Sequence, residues 1–399
     1  MDKKTVRDLD VKNKRVLLRA DFNVPLDKDT GTITDGSRIE ATLPTIKYLL
    51  KNQAKIILCS HLGRPKGRVE DKLRLEPVAQ YLSEYLHKDV SYVKNCIGPA
   101  AEEAAFNLKP GDVLLLENLR FHIEEEKNDP AFSKALARLG EIYVNDAFGA
   151  AHRAHSSVVG ITQYLPAVAG FLLEREVIML GKAMKNPSRP FAAISGGSKI
   201  GDKMAVLENL LNLVDILLIG GGIASTLLKS QGIEVGKSLV DEQELGLAMK
   251  LLKQSKSNSH QKIVLPVDFV VADAFHSDAN HRITSAKEVR KDDYIMDIGP
   301  KTISLFQREL KGCKTVIWNG TMGVFEWKQF QAGTKKIAET LADMSDATTI
   351  VGGGSTAEAV YALGLASTMT HVSTGGGASL EFLEGKTLPG VAVLLEKHS

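Results

Sequence analysis

Gly170-Phe171-Leu172-Leu173-Glu174-Arg175-Glu176-Val177-Ile178-Met179-Leu180-Gly181-Lys182-Ala183-Met184-Lys185-Asn186-Pro187-Ser188-Arg189-Pro190 reads as one helix between two different kinds of chain. Leu173, Val177, Leu180 and Met184 are spaced four, three and four apart, which puts them on one helical face. Glu174 and Glu176 stand near its start and Lys182 and Lys185 near its end, the order a helix dipole favours, before Asn186-Pro187 stops it. A stiff connector over 171–190 is predicted, with one domain before it and one from 191 onward.

The two sides differ in how they could hold an anion. Of 15 arginines, 10 lie in residues 1–170; of 34 glycines, 24 lie beyond, including the triplets 220–222, 352–354 and 375–377. Arginine grips phosphate or carboxylate with a planar fork of donors, whereas glycine lets backbone N–H groups come close to phosphate. An anionic substrate is expected on the first side and a nucleotide on the second.

At 399 residues the chain suits two domains, and 44% hydrophobic and 25% charged residues are those of a soluble globular protein. The net charge of +2 gives neither half a basic excess that would point to nucleic acid or an anionic membrane. Met1 to Asp10 lacks the apolar core of a secretion signal, so a cytoplasmic location is expected. Cys59, Cys96 and Cys313 are odd in number and widely spaced, which argues for buried thiols rather than disulfides or a zinc site.

In the first half, Val16–Leu18, Lys55–Cys59, Val113–Leu116 and Ile142–Val144 are apolar on both faces and separated by helix-length stretches. They predict a parallel α/β sheet with ligands gathering beyond the carboxyl ends of its strands. After these runs come Asp21, Phe22 and Asn23, with Arg38 further on; then Ser60-His61-Leu62-Gly63-Arg64-Pro65; then Glu117-Asn118-Leu119-Arg120; then Asn145-Asp146, leading to His152-Arg153-Ala154-His155. One loop arginine is ordinarily a solvated surface charge, but four arginines and three histidines after successive strands form an anion-binding pattern. His152 and His155 lack neighbouring metal ligands, so a structural or anion-contacting role is expected. Asp21 could bind a substrate hydroxyl or orient an arginine.

The second half repeats the alternation at Phe191–Ile194, Ile216–Ile219, Ile263–Leu265, Tyr294–Met296, Val316–Trp318 and Thr349–Val351. Ser195-Gly196-Gly197-Ser198-Lys199-Ile200-Gly201-Asp202-Lys203 offers glycine amides and lysines without matching G-x-x-x-x-G-K-[ST], and Lys199 and Lys203 can share one face of a short helix. Gly352-Gly353-Gly354-Ser355-Thr356 reads as a strand end, a turn and a helix N-terminus, which suits phosphate. No triplet fits G-x-G-x-x-G, so a nicotinamide dinucleotide is not indicated.

Four runs, Arg19-Ala20-Asp21-Phe22-Asn23-Val24-Pro25, the 60–65 segment, Trp318-Asn319-Gly320-Thr321-Met322-Gly323-Val324-Phe325-Glu326 and Ser373-Thr374-Gly375-Gly376-Gly377-Ala378-Ser379, resemble phosphoglycerate kinases, and the similarity runs nearly end to end. The resemblance implies two Rossmann-like three-layer α/β domains joined by an interdomain helix and hinge. The first (1–170) would bind 3-phosphoglycerate or 1,3-bisphosphoglycerate, and the second (191–387) Mg2+ with ADP or ATP. The last residues, from about Leu388, would return to the first. Carried over by motif, the glycerate is held by Asp21, Phe22, Asn23, Arg38, His61, Leu62, Gly63, Arg64, Arg120 and Arg153. The nucleotide is held by Lys199, Lys203, Asn319, Gly352, Gly353, Gly354, Ser355 and Thr356, and by Glu326 through ribose hydroxyls. A monomer is expected.

Ser355 departs from the family, which usually has Asp there, so magnesium is expected to rest on nucleotide phosphates near Ser355 and Thr356. Ser225 and Leu227 stand where phenylalanines are common. The implied reaction is reversible phosphoryl transfer between an acyl phosphate and ADP. Both nucleophiles are already ionised near neutral pH, so Arg38 and Lys203 are assigned to the moving phosphoryl group and no general base is needed. A kinase for another carboxylic acid would not need the Arg64, Arg120 and Arg153 cluster; a binding protein would not need Arg38 together with Lys203.

Overall fold

The computed structural model describes residues 2–27, 29–198, 200–257 and 262–397. The chain forms two compact units, Met1–Ile178 with Thr387–Ser399, and Met179–Lys386.

The first unit is built on β1 (Arg15–Arg19), β2 (Lys55–Cys59), β3 (Val90–Val93), β4 (Val113–Leu116), β5 (Ile142–Asn145) and β6 (Ala167–Ala169). These pair in parallel in the order β3-β4-β2-β1-β5-β6. β1, β2, β4 and β5 are buried almost throughout, which is why they stand out as apolar runs. β3 and β6 escape the sequence pattern because Ser91 is exposed in the one and the other is only three small residues long. From β1 the chain steps outward to β2, and β5 later pairs on β1's other side. The crevice at the ends of β1 and β5 is thus the switch point, where ligands gather in open parallel sheets.

The final segment is stitched into this unit. The Leu395 N–H donates to Ala167 O at 3.0 Å, Lys4 N–H to Leu395 O at 2.7 Å, and Asn145 Nδ2 to Gly390 O at 3.0 Å. Gly390 packs so closely that an added Cβ would lie 2.6 Å from Val158.

The connector helix runs Phe171–Lys185. The buried carboxylate of Asp146 caps it, Oδ1 accepting from Leu172 N–H at 2.8 Å and Leu173 N–H at 3.2 Å. Gly170 makes room for this cap, since a Cβ there would sit 2.2 Å from the same oxygen. The buried stripe is Leu173, Glu176, Leu180 and Ala183, while Val177 and Met184 are only half-buried. Glu176 therefore belongs to the packed face instead of the solvated first turn. Periodicity places apolar residues, but here a buried carboxylate occupies a core position.

The second unit contains β7 (Phe191–Ser195), β8 (Ile216–Ile219), β9 (Lys262–Val264), β10 (Asp268–Ala272), β11 (His281–Ser285), β12 (Tyr294–Ile298), β13 (Thr315–Asn319), β14 (Thr348–Gly352) and β15 (His371–Val372). Six form a parallel sheet, β15-β14-β13-β7-β8-β9, whose switch point lies between β7 and β13. The Tyr294–Met296 run does not join it. It lies in β12 of a separate antiparallel sheet, β11-β10-β12. The connections on either side of β11 are too short for crossover helices, and antiparallel hairpins are what short connections permit.

Candidate functional site

In the first unit the carboxyl ends of β4, β2, β1 and β5 are neighbours, so their loops converge. Arg38, in the first turn of the Ser37–Lys51 helix, donates from Nη1 to Asp21 Oδ2 at 2.7 Å. Asp21 is 5% exposed, and the pair holds the Arg38 guanidinium in place. Gly63 ties two further loops together, its N–H donating to Asn23 Oδ1 at 2.8 Å and its carbonyl accepting from Arg120 Nη1 at 2.9 Å. Arg64 and Arg153 extend into solvent.

Two members of the expected set do not present side chains. Phe22 and Leu62 are buried in the core, and their N–H groups are taken by Ser60 Oγ and Asn118 Oδ1. Apolar residues inside a binding motif here serve the fold that carries it.

Crowded positive charge marks the site electrostatically. Burial, helped by Arg120, Arg19 and Arg153, pushes His155 down to about 4. Burial together with Arg19 also weakens the hold of Arg120 on its proton. A multiply charged anion would relieve this repulsion. Arg19 and His61, at the ends of β1 and β2, lie under the cluster, with Arg19 Nη2 3.1 Å from His61 Nδ1. Arg19 was not legible as a site residue because it is the last residue of a strand, where charge ordinarily marks an exposed end. Among the described residues no group of three His, Cys, Asp or Glu could hold a metal ion.

In the second unit the loops after β7, β8, β13 and β14 form the other site. Lys203 Nζ donates to Gly196 O at 2.7 Å and Asn319 O at 3.2 Å, which hangs the lysine at the switch point. Gly320, at φ +100°, makes this possible, because a Cβ would come 2.1 Å from Gly196 O and 2.6 Å from Lys203 Nζ. Trp318 pins the same turn through Nε1 to Gly320 O at 2.9 Å. The 220–222 triplet serves loop packing, since a Cβ on Gly222 would be 2.4 Å from Ser198 O.

Gly353, at φ +86°, turns the chain from β14 into the Gly354–Ala362 helix. A Cβ on it would be 3.1 Å from Asn319 Nδ2, a buried donor with no protein partner. A buried amide donor beside free helix N–H groups is an anion cradle. Thr356 does not face it. Its Oγ1 is buried and accepts from Gly320 N–H at 2.6 Å, which leaves Ser355 as the loop's exposed hydroxyl.

Beside the cradle is a cavity of about 300 Å³. Its lining includes Gly197, Ser198, Ser225, Glu326 and Ser355, and an apolar slot of Leu239, Phe269, Phe275, Ile295, Met296 and Met322. Phe275 stands 61% exposed against Trp327, with ring centroids 4.9 Å apart. Apart from Met322, in the 318–326 run, no motif announces these apolar walls, which come from short strands and loops far apart in sequence. Leu227 is core, whereas Ser225 reaches the cavity. Asp297, at its floor, is pushed up to about 7 by burial, against the opposing pull of N–H donors from Gly333 and Ile298. Lys199 lies outside the described residues.

A family model described as phosphoglycerate kinase matches residues 6–386. The phosphoglycerate kinase of Moorella thermoacetica is 55% identical over 397 residues, covering 100% of both chains. That of Dictyoglomus turgidum is 54% identical over 400 residues, again covering 100% of both. Among solved structures, phosphoglycerate kinase from Coxiella burnetii superposes with a TM-score of 0.87 at 40% identity, and that from Pyrococcus horikoshii OT3 with 0.87 at 33%, each covering 98% of both chains.

Proposed function

The chain belongs to the phosphoglycerate kinase family and catalyses the reversible glycolytic transfer of the acyl phosphate of 1,3-bisphosphoglycerate to ADP, and from that premise we propose how its residues divide the work. The glycerate sits on the first unit at the β1–β5 switch point, held by Asn23, Arg38, His61, Arg64, Arg120 and Arg153. The nucleotide sits on the second, its base in the apolar slot, its ribose at Glu326 and its phosphates on the cradle of Asn319, Gly352, Gly353, Gly354 and Ser355. Lys199 and Lys203 belong with those phosphates. The observation that carries this division is the pairing of two unlike anion sites, an arginine cluster at one switch point and a backbone cradle with a buried amide donor at the other.

Transfer is in-line and direct. The attacking oxygen, on the glycerate carboxylate or on ADP, is already ionised, so the residues need only align the ends and spread charge. Arg38, held by Asp21, meets the moving phosphoryl from one side, and Lys203 from the other. Magnesium fits a cradle of this kind when carried on the nucleotide phosphates and met by the Ser355 hydroxyl, and it supplies charge neutralisation. Bending near the Phe171–Lys185 helix brings the ends into line. The enzyme acts as a cytoplasmic monomer without nucleic acid, a reading in keeping with its balanced charge; among the described residues no helix is long and apolar enough to cross a membrane.

Equilibrium titrations test the division. Arg153→Ala should weaken 3-phosphoglycerate binding about tenfold or more, as loss of a charge-assisted hydrogen bond does, with ADP binding unmoved. Glu326→Ala should do the reverse. A crossed pattern, or no effect of either substitution, would refute it.

A further inference from the structure

Arg19 is 1% exposed, and among the described residues no carboxylate forms an ion pair with it. Its three nitrogens are spoken for. Nε donates to Ser157 Oγ at 3.0 Å, Nη1 to the carbonyl of Ala20, and Nη2 faces His61 Nδ1 at 3.1 Å. Behind Ser157 stands the buried Glu125, whose Oε1 accepts from Ser157 Oγ at 2.6 Å and Oε2 from Ser157 N–H at 2.9 Å. The guanidinium is therefore clamped between a strand carbonyl, a serine held by a buried carboxylate, and one imidazole nitrogen.

A guanidinium has only donors and does not lose its proton in proteins, so the ring nitrogen facing it must accept. From this geometry we infer that Arg19 is a positioning residue that fixes His61 as the neutral tautomer protonated at Nε2, so that the ring always presents an N–H donor to the anionic substrate. A protonated ring would carry N–H on both nitrogens and turn donor against donor. Burial disfavours a cationic ring most, and Arg19 on β1, Arg120 after β4 and Arg38 on the following helix disfavour it further, while His155 after β5, itself pushed down to about 4, is uncharged above that pH. Asp21 is engaged with Arg38, and Glu125 reaches the ring only through Ser157 and Arg19. Glycerate binding then does not depend on titrating this histidine. The positive charge comes from the arginines, while the imidazole supplies direction.

The inference rests on His61 meeting the glycerate, and the experiment separates the two claims. In histidine-15N-labelled wild-type protein, two-bond 1H–15N correlation spectra distinguish a protonated from an unprotonated ring nitrogen, with the His61 signal assigned by its loss in His61→Gln. The expected result is Nε2 protonated and Nδ1 bare from pH 5.5 to 8.5, with Nε2 shifting when 3-phosphoglycerate is added. A ring protonated at Nδ1, or one that titrates in this range, overturns the role given to Arg19. A fixed Nε2–H ring that 3-phosphoglycerate leaves unmoved overturns the contact with substrate instead. Arg19→Met supplies the kinetic arm. The change frees His61 Nδ1 of its fixed donor and removes one cationic neighbour, so KM for 3-phosphoglycerate should acquire, from the acid side, a pH dependence beyond that of wild type, binding tightening as the ring becomes a cation. A merely structural role for Arg19 would shift KM equally at all pH values.

Discussion

Arg38 shows how a single residue is prepared for its task. Its partner Asp21 is nearly buried, so the ion pair fixes where the guanidinium stands while leaving part of it accessible. Arg38→Ala should lower turnover about a thousandfold, roughly 4 kcal/mol, because an arginine at the transferring group acts mainly in the transition state. Steady-state kinetics on a protein of unchanged circular dichroism would check this. Ser355 is the exposed hydroxyl at the cradle proposed for the nucleotide phosphates, and Ser355→Asp adds an anion where magnesium is proposed to lie. Half-maximal activity should then come at lower magnesium at saturating nucleotide, and an equal or higher requirement would place this side chain away from the metal. These residues were legible because they follow strand ends. Arg19 was not, because its importance lies in three buried hydrogen bonds that only the packed loops reveal.

Among the elements, the connector helix depends on one carboxylate. Burial raises Asp146 to about 6, so the folded state holds this proton more tightly than the unfolded chain. The contribution to stability is therefore full below about pH 4, declines as pH rises to about 6, and is flat above, by up to about 3 kcal/mol. Asp146→Asn keeps the capping oxygen and should abolish that decline, read from hydrogen exchange at the Leu172 and Leu173 amides. A wild-type slope persisting in the variant would assign it to other groups. The turn at Gly320 is a second such point. Gly320→Ala forces a positive φ and meets Gly196 O, so turnover should fall at least tenfold as Lys203 is displaced, measured by stopped-flow with nucleotide held saturating. Strands buried on both faces were readable from sequence, whereas β10 and β11 were not and β12 was read into the parallel sheet, since β11 is exposed or half-buried along its length and an apolar run alone does not say which strand it pairs with.

At the scale of the molecule, the helix at 171–185 spans the division between the units, and the last residues complete the first unit's sheet at Ala167. The two-domain plan was legible from the contrast between arginine and glycine. The way the tail is bound through Asn145 and Gly390 was not, because a buried amide-to-carbonyl bond between residues far apart leaves no periodic trace. The proposed split of the ligands between the units implies that neither ligand alone aligns the reacting atoms, so closure should need both. Small-angle scattering with 3-phosphoglycerate alone, ADP alone and the two together tests this most directly. The radius of gyration should fall only in the ternary complex; an unchanged radius there, or the same contraction with one ligand, would contradict it.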